Sequence, residues 1–220
     1  MSLVSAALLG LGLGVKHAFE ADHVAAVCTR VARRGTVARA ARAGALWGLG
    51  HGAVIIVAGT ALVLLGARVP GPLAAALDAA VAVMLVGLGI SALRRASDEA
   101  VPGHDHSDGH AHSHDHDHRG STRRPILIGL VHGASGTAAL TLLVASTIPE
   151  RAEALAFITL FGLASIVGMA AAAAVLAWPL RKAALHAPAI ARGLRSLAGV
   201  GSIAAGLMVG WIALSTATIN

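Results

Sequence analysis

The chain has 220 residues, 56% of them hydrophobic and only 13% charged, with a mean hydropathy of +0.74. Soluble domains carry about a quarter charged residues, so this composition excludes an ordinary soluble fold and indicates a polytopic membrane protein. The formal net charge of +6 does not indicate nucleic-acid binding, because the arginines sit in short clusters between apolar runs, as orientation signals do.

Six apolar segments follow one another at residues 3–29, 43–67, 72–93, 126–148, 153–178 and 195–217, each long enough to cross a ~30 Å hydrocarbon core as a helix. They predict an all-α fold, a single transmembrane domain over residues 1–220. Arg33-Arg-Gly35, Pro70-Gly-Pro72, Pro149-Glu150 and Pro179 followed by Pro188 mark the breaks. Residues 1–15 carry no basic n-region, and Lys16 follows the apolar run rather than preceding it, so the first segment reads as a mature span rather than a cleaved signal.

That first span contains His17-Ala-Phe-Glu-Ala-Asp-His23. An ionisable group near the middle of a lipid-facing helix costs about 2.5–3.5 kcal/mol, so such groups usually face a bundle interior and line an ion path. On a straight helix, His17, Asp22 and His23 diverge by more than 100° and cannot share one ion, whereas Glu20 shares a stripe with His17 and with His23. Either the helix unwinds at the motif or other helices complete the ligand set. Gly10, Gly12 and Gly14 upstream lower the cost of a break and permit close packing. Cys28 is the single cysteine, which excludes an intramolecular disulfide, a thiolate cluster and a dithiol redox pair.

Further along, Gly48-Leu-Gly-His-Gly52 places His51 about two turns into the second span. Between the third and fourth spans, residues 94–125 form a His-rich loop with His104, His106, His110, His112, His114, His116 and His118, interleaved with Asp105, Asp108, Asp115 and Asp117. The tract has no apolar anchor beyond Ala111, so it is expected to be disordered without a ligand. Its imidazoles and carboxylates suit Ni, Co, Zn or Cu(II), and it forms an auxiliary metal site. Gly129-Leu-Val-His-Gly133 puts His132 in the fourth span at a depth similar to that of His51.

The arginines and lysines divide the loops into two sets. Those after spans one, three and five hold fourteen of them, and those after spans two and four hold only Arg68 and Arg151. The three basic loops, and the His-rich tract with them, are therefore expected in the cytoplasm, with both termini outside. Gly14-Val-Lys-His17 matches Gly129-Leu-Val-His132, and Leu46-Trp-Gly-Leu49 matches Leu160-Phe-Gly-Leu163. Three spans per half force opposite orientations, so these matches predict a 3+3 inverted repeat.

His17, Glu20, Asp22, His23, His51 and His132 are the candidate metal residues. Imidazole and carboxylate without thiolate suit Ni(II), Co(II) or Zn(II) better than Cu(I), Mg or Ca. No phosphate-binding loop or nucleotide motif is present, so no enzymatic role and no resident cofactor are expected, and the metal is cargo.

His17-Ala-Phe-Glu-Ala-Asp-His23 resembles the signature of the NiCoT family of nickel/cobalt transporters, usually H-A-x-D-A-D-H, with Glu20 in place of an Asp. Gly50-His-Gly-Ala-Val-Ile-Ile56 is similar to that family's second signature, and the stretch Gly129–Leu140 to its shorter, UreH-like members. The family's third signature carries acidic residues, of which this chain has none between Arg124 and Glu150; in the fourth, begun by Gly168-Met169, Ala173 stands where an Asp is expected. The resemblance implies transport of Ni(II) or Co(II) across the cytoplasmic membrane through His17, Asp22, His23 and His51. The expected partners are the transition-metal ion, membrane lipid and a cytoplasmic metallochaperone that receives the ion. Uptake leads; efflux by the same fold and a non-transporting membrane metal-binding protein are the alternatives.

Overall fold

The structure, a computed structural model, describes residues 1–31, 36–67, 69–98, 122–134, 145 and 147–219. All regular structure in these residues is helical: α1 Leu3–His17, α2 Ala21–Val31, α3 Val37–Leu65, α4 Gly71–Asp98, α5 Arg123–Gly133, α6 Arg151–His186 and α7 Pro188–Ile219. The auxiliary His104–His118 tract and most of the C-terminal part of the fourth apolar segment lie outside the described residues.

Helix ends follow local chemistry. Ser2 caps α1 by accepting the Ser5 N–H at 3.2 Å, and Thr36 caps α3 by accepting the Arg39 N–H at 3.2 Å. Gly66 closes α3 with φ +60, a left-handed cap that a side chain would strain.

Four helices, α3, α4, α6 and α7, are long and apolar enough to cross a membrane. The first apolar segment departs from the single span read from the sequence. It is two helices, α1 and α2, bent by 51° at a short break, and the pair passes the same test together. The break has a backbone cause. The Phe19 and Glu20 N–H groups reach back three residues to the Lys16 and His17 carbonyls at 3.0 Å, tightening the end of α1, and the Glu20 carbonyl then accepts Val24 N–H to start α2. The chain is thus an all-helical, multi-pass membrane protein.

Two further expectations are corrected. Pro179 does not end the fifth segment: α6 continues to His186, and the break falls at Ala187 before Pro188. A membrane helix tolerates the lost proline donor when its neighbours support it. The basic clusters are also largely helical. Arg39 and Arg42 ride on α3, Arg94 and Arg95 on α4, and Arg181 and Lys182 on α6, as extensions beyond the apolar stretch.

Packing is set by small residues. Gly10 and Gly14 lie against the backbone of Phe157 and Phe161, which makes α1 parallel to α6. Gly129 lies on Trp47 and Gly133 on His51, which makes α5 parallel to α3. The α3–α6 pair is antiparallel, with Gly44 on Met169, Gly48 on Ile166 and Gly52 on Gly162. The α4–α7 pair is antiparallel too, joined by Gly89 on Gly199, Gly206 on Ala82 and a 2.8 Å bond from Ser202 Oγ to the Leu85 carbonyl. At each of these positions a Cβ would meet backbone or a packed side chain, so the small residues fix the separation between helices. The most enclosed helix is α6: half of its apolar stretch is buried, against 22% for α4 and α7.

Candidate metal centre

The break between α1 and α2 creates the centre. His17 ends α1, Asp22 and His23 open α2, and the 51° bend turns residues that diverge on a straight helix toward one another. His51 comes from the middle of α3, held by the close approach of Gly133 to its backbone. His132 stands in the last turn of α5. Both possibilities left open by the sequence are therefore realised: the helix breaks, and other helices complete the set.

The four imidazoles are packed ring against ring. Centroids are 4.4 Å apart for His17 and His23, 5.1 Å for His17 and His51, 5.1 Å for His23 and His51, 4.3 Å for His23 and His132, and 5.9 Å for His51 and His132. His23, His51 and His132 are fully buried, and His17 is nearly so. Lys16, one residue from His17, is exposed.

Hydrogen bonds assign the ring nitrogens. His17 Nδ1 lies 2.9 Å from Glu20 Oε2, and His23 Nδ1 lies 3.0 Å from Asp22 Oδ1. A carboxylate only accepts, so each Nδ1 carries the proton it donates and each Nε2 keeps a lone pair, as in carboxylate–histidine–metal arrangements. His17 Nε2 faces His51 Nε2 at 3.1 Å, and His23 Nε2 has no hydrogen-bond partner. Nitrogens bound to one ion at about 2.1 Å on adjacent vertices stand roughly 3.0–3.4 Å apart, so the His17–His51 separation suits a shared ion. The second carboxylate oxygen of Asp22 accepts from His132 Nε2 at 3.0 Å.

Two groups of donors converge within 4.8 Å: His17, His23 and His51, and Asp22, His23 and His132. All six residues expected to hold metal are thus at the break, with Glu20 positioned behind His17 rather than within either group. The buried donors His23 Nε2, His51 Nδ1 and His132 Nδ1 lack hydrogen-bond partners among the described residues. An unpaired polar atom in an apolar interior is costly, and a cation coordinated at His23 Nε2 would relieve that one.

Three residues shape the centre that metal-ligand reasoning missed. Trp47 stacks on His23 at 5.5 Å and meets His132 edge-on at 5.6 Å, and Phe161 covers His17 at 5.3 Å. Each belongs to a separate apolar cluster, so the imidazoles lie between the two. Ser165 donates to the Phe161 carbonyl at 2.8 Å and reaches the Gly14 carbonyl at 3.3 Å, tying α6 to α1 one turn before the break. Trp47 and Phe161 occupy corresponding positions in the Leu46–Leu49 and Leu160–Leu163 matches, a signal that was visible but carried no ligand chemistry.

No protein-family model matches the chain, and no solved structure matches it. The urease accessory protein UreH of Bacillus sp. (strain TB-90) is 33% identical over 191 residues, covering 84% of this chain and 84% of that protein. Identity at that level across most of both chains establishes common descent: the chain belongs to the UreH family, the UreH-like NiCoT group that its His17–His23 signature resembles.

Proposed function

We propose that this chain is a secondary transporter that carries Ni(II) or Co(II) across the cytoplasmic membrane, inward, through the His17/Asp22/His23/His51/His132 centre. The observation that carries the reading is the burial of four imidazoles around a largely buried carboxylate at a helix break, with three ring nitrogens left unpaired among the described residues. Asp22 and Glu20 supply two negative charges beside these rings, which matches a divalent cation and keeps the loaded centre near neutrality in a low-dielectric interior. Nitrogen-rich donors without thiolate favour nickel and cobalt over Cu(I), Mg and Ca.

The packing supports a 3+3 inverted repeat in a six-span plan. Close contacts come in pairs that exchange the halves: Gly14 on Phe161 answers Gly129 on Trp47, Gly48 on Ile166 answers Gly162 on Gly52, and Gly89 on Gly199 answers Gly206 on Ala82. In this plan α1 and α5 run antiparallel, each reaching only part-way through the bilayer. The 11 residues of α5 rise about 16 Å, half of a ~30 Å core. Two helix C-termini, the negative ends of their dipoles, then face the cluster from opposite sides, as in other transporters with broken helices. The distribution of basic residues supports an orientation with the termini outside and the His104–His118 tract in the cytoplasm, where its histidines would buffer the ion before it passes to a metallochaperone.

That cytoplasmic histidine tract also favours a second reading, efflux by the same fold, in which the tract collects excess ion. Comparing ⁶³Ni accumulation in expressing and control cells separates the two. Uptake requires higher accumulation than control, and accumulation below control means export. His17→Ala and His51→Ala are expected to bring flux to the control level; wild-type flux in both would reject the buried centre as the ion path, whereas a wild type indistinguishable from control would leave a non-transporting metal-binding protein.

A further inference from the structure

The two donor groups of the centre share one residue, His23, and have no other member in common. We infer that they are two successive stations for the same ion, with His23 as the pivot between them. This relay rests on the transport reading above and specifies how the centre works within it.

Three observations carry the inference. First, the groups differ in chemistry. His17, His23 and His51 offer three imidazoles and no carboxylate, whereas Asp22, His23 and His132 offer a carboxylate and two imidazoles. Second, their unshared histidines come from different helices: His17 ends α1, which packs on α6, and His132 lies in the last turn of α5, which packs on α3. Third, His23 can stay bound while its partners change: Asp22 holds its Nδ1–H at 3.0 Å, and its fully buried Nε2 has no hydrogen-bond partner among the described residues.

Asp22 is occupied on both oxygens, by His23 and by His132, so an ion held by the three imidazoles gains no oxygen from it until one of those bonds opens. The ion first takes the Nε2 lone pairs of His17, His23 and His51. As it moves, His17 and His51 are released, Asp22 turns from His132 to the ion, and His132 shifts its proton from Nε2 to its unpaired Nδ1 so that Nε2 becomes a ligand, with His23 retained through Nε2 throughout. Ligands are replaced one at a time, so the cation is never bare in the apolar interior, where an uncompensated charge costs several kcal/mol. Trp47, against both His23 and His132, closes the second station from one side.

The test separates holding an ion from passing it on. The probe is Ni(II) added to the solubilised full-length chain, read as the nickel-dependent rise in Tm, with ⁶³Ni flux measured in cells. Binding to the folded state raises stability by mass action. His51→Asn removes a ligand of the first station and is expected to lose most of the Tm rise and the flux; His23→Asn, which removes the residue common to both groups, gives the baseline from other sites. His132→Asn, with His132→Gln as a second variant should the first fail to fold, is expected to keep most of the Tm rise above that baseline while flux falls at least ~10-fold. A Tm rise lost in the His132 variants would mean one composite site and overturn the relay, as would wild-type flux in them or a full Tm rise in His51→Asn. A wild type that moves no ⁶³Ni would instead overturn the transport reading itself.

Discussion

Gly14 and Gly12 lie in the same helix two residues apart, yet the structure assigns them opposite sensitivities. A Cβ at Gly14 would meet the Phe161 carbonyl oxygen well inside contact distance, the carbonyl carbon at 3.0 Å and Ala164 Cβ at 2.9 Å; at Gly12 nothing lies within 4 Å. Carbon atoms pack at about 3.5–4.0 Å, so Gly14→Ala requires α1 to move away from α6 by roughly 0.6–1.1 Å. The obstructing atoms are backbone and a methyl group, and no flexible side chain can yield. Three residues on, His17 would move with its helix and open the 3.1 Å separation from His51 toward ~4 Å. Displacement of about 1 Å in a reacting constellation costs up to ~10²-fold, and overpacking of this kind costs about 1–3 kcal/mol in stability. Gly14→Ala is therefore expected to lower ⁶³Ni flux by ~10–10²-fold and to lower Tm, while Gly12→Ala leaves both at wild-type values. Both variants are compared at equal membrane abundance. Wild-type flux in Gly14→Ala would show that the α1–α6 spacing does not position the centre.

Asp22→Asn keeps the shape of the side chain but removes the charge that orients His23 and His132, and is expected to reduce flux by at least ~10-fold in the same assay. Glu20→Gln, behind His17 and partly exposed, is expected to have a milder effect, raising the half-saturating nickel concentration more than it lowers maximal flux. Removing residues 104–118 is expected to lower the apparent affinity or rate without abolishing flux; abolished flux would move the essential site to the tract. Ser202→Ala, which deletes the 2.8 Å bond to the Leu85 carbonyl, is expected to lower stability by about 1 kcal/mol and leave nickel-dependent stabilisation unchanged.

The residues of the centre were legible in the sequence because their chemistry is anomalous where they occur. Two imidazoles and two carboxylates inside an apolar run are expensive, and His51 and His132 stand between glycines in otherwise featureless spans. Their arrangement was legible only as a dilemma: periodicity shows that a straight helix disperses His17, Asp22 and His23, but not whether the helix bends. The bend depends on two backbone bonds, from Phe19 and Glu20, that hydropathy does not encode. Pro179 shows the opposite error. A proline reads as a stop, yet α6 passes through Pro179, which lies on an exposed face, and runs on to His186: a proline removes one backbone donor and does not by itself end a helix. Trp47 and Phe161 were visible as a repeat, but an aromatic residue in an apolar span has no distinguishing cost, so their contact with the imidazoles could come only from the fold.

Within the proposed repeat, the halves agree in packing and disagree in chemistry. Gly14 and Gly129 make the same contact with Phe161 and Trp47, and His17 and His132 each follow three residues later in the last turn of their helices. The matched position of His51, counted from those aromatics, is Ser165, whose hydroxyl donates to backbone carbonyls and offers no imidazole. The second half therefore lacks the histidine that would complete a copy of the first group on its own side. Asp22 and His23 from the first half complete the His132 group instead. A strictly symmetric pair of sites would bind the ion equally and give it no preferred order of ligands. With Ser165 at the counterpart of His51 the two groups are unlike, three imidazoles in one and a carboxylate in the other, and in the proposed relay that difference in donor chemistry is what would let an ion be held at one group and released from the next.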